Sequence, residues 1–261
     1  MNTHPSLDIV QNMGRRTTEI LDLSLPPVGV CLLATPDQFP AGAQMLVRHR
    51  YCQALMRARH GEHVLLDGKG INCPAAAAAF GFRPLPEGLR NGKGLVGFGI
   101  VAEEETGRRM FEAMPMLEPG EITALHLFPL HEATTFPDVI VIEDAVEKLM
   151  WVSLAYLNVT GGERIESSTA VLQAICVDST IIPYLEERLN QGYGCYGCRD
   201  ATDLGMHETV LGFPGSLLAA ITEHLELLAE KAIPTSRSKR AWAALNKGER
   251  REERHPALSG R

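Results

Sequence analysis

No stretch of this 261-residue chain approaches the roughly 18 to 20 consecutive apolar residues that a membrane span requires, so a membrane protein is not expected. The opening residues, Met1 to Arg16, lack the basic flank, apolar core and small-residue cleavage site of a secretory leader. The cytoplasm is the expected compartment. Also missing are a P-loop, a helical His-Glu-x-x-His and a Ser-His-Asp order, which removes three common routes to catalysis. A concentrated basic face is lacking too. The formal net charge is −7, and the basic residues gather from Arg237 onward, where eight Lys or Arg stand against three Glu. The acidic remainder offers no surface for neutralising phosphates, so no nucleic-acid partner is expected. Residues 234–261 read as a basic, solvated C-terminal tail.

The hydrophobic fraction of 45% and charged fraction of 22% are those of a globular protein near the upper size for one core, which predicts a single domain over residues 1–233. Helical spacing of apolar residues predicts a helix from Pro5 to Leu23, ended by Pro26-Pro27. The apolar, β-rich run Val28 to Ala34 predicts a buried strand. A helix over Val47 to His60, closed by Gly61, precedes a strand over Glu62 to Leu66. Pro74 and the alanine run after it predict a helix with Asn72 or Cys73 at its N-cap. Asn91 to Gly99 reads as a glycine-rich turn or hairpin rather than a nucleotide loop, because it lacks a complete G-x-G-x-x-G. A helix over Glu103 to Met114, strands at Ala124 to Phe128 and Asp138 to Ile142, and a helix from Ala145 to Asn158 continue the alternation. Helical stretches near Ser168 to Val177 and Tyr184 to Asn190, an irregular Gln191 to His207, and an amphipathic helix over Gly215 to Ala232 follow. The fold class is therefore α/β, a mixed sheet flanked by helices.

Six cysteines in a reducing compartment read as metal ligands, redox thiols or core residues rather than a disulfide framework. Cys31, inside an apolar strand, reads as core. Cys52 and Cys176 fall on helices, Cys73 at a helix start whose unpaired N–H groups favour a thiolate, and Cys195 and Cys198 in a glycine-laced C-x-x-C. The two halves echo one another: Gln53-Ala54-Leu55 beside Cys52 and Gln173-Ala174-Ile175 beside Cys176 each precede a glycine-rich turn and a further cysteine. An internal repeat over about 26–100 and 138–232 would bring the cysteine pairs together across a pseudo-twofold axis.

Cys195-Tyr196-Gly197-Cys198 has the commonest local spacing for two thiolates that share a metal or cluster. Iron–sulfur clusters want placed cysteines, backbone donors and little side-chain bulk, and this loop offers all three. Zinc competes, although a structural zinc site usually shows two such knuckles, and His207 is the only histidine near the loop. A redox dithiol ranks third, because such proteins start a helix at the C-x-x-C and Arg199 to Asp203 is a weak helix start. Arg199 is a candidate for binding an anionic substrate, and His207 with Glu208 for proton donor and acceptor.

Pro27-Val28-Gly29-Val30, Tyr51-Cys52-Gln53-Ala54 with Ala58 and Gly61, Asn72-Cys73-Pro74, Phe80-Gly81-Phe82, Pro137-Asp138-Val139, Gly194-Cys195-Tyr196-Gly197-Cys198-Arg199, and Glu208 with Gly212-Phe213-Pro214 recur in order along the chain. Their ensemble resembles the prokaryotic family catalogued as domain of unknown function 169, over all but the C-terminal tail. The resemblance implies several cysteines and a distribution in anaerobic and archaeal lineages, and carries no assigned reaction.

The expectation is a [4Fe–4S] cluster held by Cys52, Cys73 and Cys195, either by these three alone, leaving an open iron for Lewis-acid chemistry, or with Cys198 or Cys176 as a fourth ligand, which favours electron transfer. Zinc is the alternative cofactor, in a ligand-binding or regulatory module. The expected partner is a small-molecule substrate or an electron-transfer protein, with a homodimer as an option for assembly.

Overall fold

The computed structural model describes residues 6–246, and the apolar patterning is translated into elements in chain order. Helix α1 (Leu7–Leu21) buries Val10 and Leu21 and ends at Asp22 in a left-handed conformation. After this cap the Pro26-Pro27 pair leads into β1 (Val28–Leu33), then β2 (Gln44–Met45), α2 (Tyr51–Arg59) and β3 (Val64–Asp67). Helix α3 (Pro74–Ala79) starts with Pro74 directly after its N-cap, Cys73. Next come α4 (Glu87–Arg90), α5 (Lys93–Gly97), α6 (Glu104–Glu112), β4 (Ala124–Pro129), β5 (Val139–Ala145) and α7 (Val146–Val159). A π-helix over Ala174–Ile181 runs into α8 (Ile182–Glu186), followed by β6 (Asn190–Gly192), α9 (Tyr196–Ala201), β7 (Glu208–Pro214) and α10 (Leu218–Glu230). Helices α11 (Ala232–Arg237) and α12 (Arg240–Asn246) complete the described residues. Part of the segment read as a tail is thus helical, and Arg237 donates to the Leu21 carbonyl at 3.0 Å; residues 247–261 lie outside the described residues.

The strands make one mixed sheet in the order β2-β3-β4-β1-β5-β7-β6, antiparallel except for the parallel β2–β3 pair. Apart from the edge strand β2, the order is symmetrical about the β1–β5 pair, with β4 and β7 next outward and β3 and β6 beyond them. Each side also runs from a cysteine-bearing helix through a strand to a cysteine that caps a short helix: α2, β3 and Cys73 on one side, and the π-helix, β6 and Cys195 on the other. This correspondence of elements does not by itself show the duplicated sequence expected over 26–100 and 138–232.

Alternation along the strands divides the core in two. Val28, Val30, Leu66, Leu125, Leu127, Val139 and Val141 face α2, α3 and the π-helix. Cys31, Phe128, Ile140, Ile142, Leu211 and Phe213 face α1, α7 and α10. Among the described residues, no helix is long and apolar enough to cross a membrane.

Several local expectations are corrected. Asn91 to Gly99 is neither turn nor hairpin but the junction of α4 and α5, made at Gly92 (φ +83°), where a Cβ would stand 1.9 Å from the Glu104 carbonyl oxygen. The helix near Ser168 to Val177 begins only at Ala174. The stretch read as Tyr184 to Asn190 is helical earlier, over α8, and already strand at Asn190. Gln191 to His207 is not irregular throughout, since it contains most of β6 and the whole of α9. Strand β7, absent from the patterning, pairs with β5 along its full length.

Candidate active site

Five of the six cysteines line one cavity of about 630 Å³ on the α2, α3 and π-helix side of the sheet. Cys52 comes from the first turn of α2, Cys73 from the N-cap of α3, Cys176 from the π-helix, Cys195 from the N-cap of α9 and Cys198 from its first turn. Apolar walls are supplied by Leu89, Leu95, Phe98, Ile100 and Phe111, while Arg50 and Asp200 are the charged lining residues. Cys52, Cys176 and Cys198 are buried; Cys73 and Cys195 are half-buried.

The π-helix explains why Cys176 faces this cavity. Its wider turn is closed by side chains as well as backbone, with Ser179 Oγ donating to the Ala174 carbonyl at 2.9 Å and Thr180 Oγ1 to the Ile175 carbonyl at 2.8 Å. Such turns are rare and concentrate at functional sites. Just before it, Val171 (φ +59°) and Gln173 (φ +55°) adopt left-handed backbone, which for a β-branched valine is a strained state held by its surroundings.

Burial pushes the Cys52 thiol up to about 12, with the nearby Cys195 and Cys73 adding to the effect. Burial likewise holds Cys176 well above the usual thiol range, reinforced by Cys73, Cys195 and Cys52. Four sulfurs from four elements therefore lie within electrostatic reach of one another. Cys195 goes the other way. Its bond with the Cys198 side chain, and backbone N–H groups of Cys198, Ala174 and Gly197, outweigh its burial and lower it below the usual thiol range, which favours its thiolate. Cys198 is raised strongly by the same bond and by burial.

Helix α9 begins directly after Cys195 and follows β6 in the chain, the strand-then-helix setting that the sequence reading denied to the C-x-x-C. Tertiary contacts hold this short glycine-containing helix in place: Arg50 Nη1 donates to the Gly197 carbonyl at 2.7 Å and Gln53 Nε2 to the Ala201 carbonyl at 3.2 Å. Among the described residues, no three His, Cys, Asp or Glu side chains already converge as ligands of a single ion.

A family model matches residues 17–224, that of domain of unknown function 169 (DUF169), described as uncharacterised ArCR. The chain belongs to this family. It is 29% identical over 220 residues to the uncharacterized protein MJ0308 of Methanocaldococcus jannaschii, an alignment that covers 83% of this chain and 94% of that protein. No solved structure matches.

The match to the DUF169 family takes in all five cysteines of the cavity. The other residues singled out from the sequence lie elsewhere in this DUF169 protein. Cys31 is on the opposite face of the sheet, where its thiol donates to the Phe136 carbonyl at 3.4 Å and burial pushes it up to about 12. Arg199, His207 and Glu208 line a separate pocket with Ala145 to Glu147. Arg199 is engaged with backbone there, donating to the carbonyls of Gly205 at 2.9 Å, Glu208 at 3.0 Å and Tyr193. Glu208 accepts from the Gly205 N–H at 2.6 Å. These bonds shape the loop after α9.

Sequence reasoning missed other polar groups of the DUF169 chain near the cavity. Tyr51 is fully buried and hydrogen-bonded to Thr180 Oγ1 at 2.8 Å. Asp178, pushed up to about 6 by burial against a bond from Thr169, stands within electrostatic reach of Cys195. Arg59 and Glu143 form a buried ion pair that also reaches Asp203. An ionisable residue in an otherwise apolar run, such as Glu143 after Val139 to Ile142, was the one available signal.

Proposed function

We propose that this protein holds a [4Fe–4S] cluster in the cysteine cavity, with Cys52, Cys73, Cys176 and Cys195 as its ligands, and acts on a small molecule there. The observation that supports the reading is the gathering of these four thiols from four separate elements around one apolar cavity. A single zinc ion would draw its ligands to within about 2.3 Å of one point, whereas a four-iron body suits sulfurs spread around a cavity wall. Cys176 is preferred over Cys198 as the fourth ligand because it is in electrostatic reach of all three others, while Cys198 is tied to the Cys195 backbone through its sulfur.

With all four cysteines bound, a cluster would have no open iron, so the chemistry it would supply is electron transfer. The chain's own residues do the rest. Backbone N–H groups hold Cys195 as a thiolate ready to bind metal. Leucine and phenylalanine walls make the lining largely apolar, which lowers the local dielectric. The Arg50 guanidinium, 3.8 Å from Asp200 and partly exposed, places a positive charge at the rim.

The test is anaerobic purification of the wild type and of Cys52, Cys73, Cys176, Cys195 and Cys198 each changed to Ser, with visible absorbance and iron, sulfide and zinc analysis. A broad brown band with matched iron and sulfide, lost in the first four variants and kept in Cys198→Ser, is the expected result. Colourless, iron-free protein sinks the cluster.

The second reading is a dithiol oxidoreductase, favoured by the lowered Cys195 and raised Cys198 at the start of α9. It requires iron-free protein that loses two titratable thiols on oxidation, both of them abolished by Cys195→Ser.

A further inference from the structure

His126, on β4, points to the sheet face turned away from the cysteines. It is fully buried, and neither ring nitrogen has a hydrogen-bond partner. A buried polar group left without a partner is costly, so a ring with both nitrogens unpaired calls for a ligand. The ring is not sealed in apolar packing. It lines a cavity of about 800 Å³ together with His63, Gln38, Thr134 and Thr135.

His63 is the second imidazole of this cavity, its ring centroid 5.6 Å from that of His126, and both rings pack on Phe128. Burial, then the neighbouring His63, brings His126 down to about 4. His63 is also lowered, by burial, against the opposing pull of Glu132. Glu132 completes the group. Its Oε2 lies 3.8 Å from His63 Nε2 while its other oxygen is 3.4 Å from His131. A gap of 3.8 Å is too long for a hydrogen bond. Two ligand atoms bonded to one tetrahedral zinc at about 2.0–2.2 Å stand roughly 3.3–3.5 Å apart, and two imidazoles on it have centroids about 5 Å apart. The observed separations exceed those values by about half an ångström.

We infer that His63, His126 and Glu132 form a site for a divalent transition-metal ion of the zinc class, on the face of the sheet opposite the cysteine cavity. Among the described residues the three do not yet converge on one point. Binding would therefore require His63 and the half-exposed Glu132 to move toward His126. The two histidines bind through nitrogen and the glutamate through oxygen, a donor set that suits zinc, cobalt or nickel. Water would fill the remaining position.

The test uses the full-length protein, stripped with chelator and titrated with zinc alone, while imidazole nitrogen resonances are followed by NMR. One zinc per chain should bind and move the rings of His63 and His126. Affinity should fall about tenfold or more in His126→Phe and His63→Gln, and should persist in Cys195→Ser. Cobalt in the same site should give a spectrum without thiolate charge transfer, which separates it from any metal at the cysteines. Ring resonances that stay unmoved by zinc would mean that buried water alone satisfies His126, and would overturn the site. So would an unchanged zinc affinity in His63→Gln, a rim variant that keeps the readout should His126→Phe fail to fold.

Discussion

The Cys195 N–H reaches the Cys198 sulfur at 2.7 Å while the Cys198 N–H reaches the Cys195 sulfur at 3.2 Å, so each cysteine caps the other across the first turn of α9. The consequence is opposite chemistry on neighbouring residues. Cys195 gathers donors on its sulfur, which favours its thiolate; the Cys198 thiol donates to the Cys195 carbonyl at 3.1 Å, which favours its protonated form.

Alkylation of the metal-free protein should therefore be selective. Iodoacetamide should modify Cys195 first, with a rate that reaches half its maximum below the usual thiol range, because its bond with the Cys198 side chain and its backbone donors lower it. Cys52, Cys176 and Cys198 should react only under denaturing conditions. Peptide mapping after a short pulse checks the order, and equal labelling of Cys195 and Cys198 at pH 7 would contradict it.

Glu143 predicts a pH dependence of stability. Burial pushes it up to about 7 against the attraction of Arg59, with Asp203 and Glu208 adding to the rise. Because its folded value lies above its unfolded one, its contribution is complete below the usual carboxylate range and is lost as pH rises through about 7. Glu143→Gln, which can still accept from Arg59, should flatten the fall in stability between pH 5 and 8 by on the order of 2 kcal/mol. Asp178, raised to about 6, leaves a smaller slope of the same sign. Thermal melts across that range provide the check.

Gly212 lets β7 touch the π-helix. A Cβ there would stand 1.9 Å from the Ser179 carbonyl oxygen, so Gly212→Ala must push the helix off the sheet. The expected cost is about 1–3 kcal/mol, a fall in Tm of roughly 3–10 °C. Displacement of the π-helix should also make Cys176 reactive in the folded protein. A melting temperature equal to wild type would mean that the contact relaxes without strain.

Tyr51 and Thr180 share a hydrogen bond whose direction is set by its neighbours. Thr180 donates its own proton to the Ile175 carbonyl, which leaves Tyr51 as the donor to Thr180. Tyr51→Phe removes that donor and should cost about 1 kcal/mol, with no change in thiol reactivity. Chemical denaturation of the two proteins measures it.

Much of the fold was legible along the chain, because α1, α2, β1, β4, β5 and α10 each carry a pattern of apolar residues that decides their type locally. The cysteines of the cavity were legible as a group from their chemistry and the glycines around them. Three elements at the site were not. The π-helix depends on Ser179 and Thr180 reaching back five residues and on Gly212 of another strand. Helix α9 forms from a glycine-containing sequence because Arg50 and Gln53 of α2 bind its carbonyls. Strand β7 is a strand through its pairing with β5. The separation of Arg199, His207 and Glu208 from the cysteines, and the meeting of His63 with His126, are likewise invisible in sequence spacing.

The sequence by itself determined the α/β alternation, the family and the set of thiols, since these rest on residue type and local periodicity. Only the tertiary structure decided which sulfurs share a cavity, which one is a thiolate and which buried polar groups lack a partner. Those properties arise from burial and from hydrogen bonds between residues distant along the chain, and they exist only once the helices have packed against the two faces of the sheet.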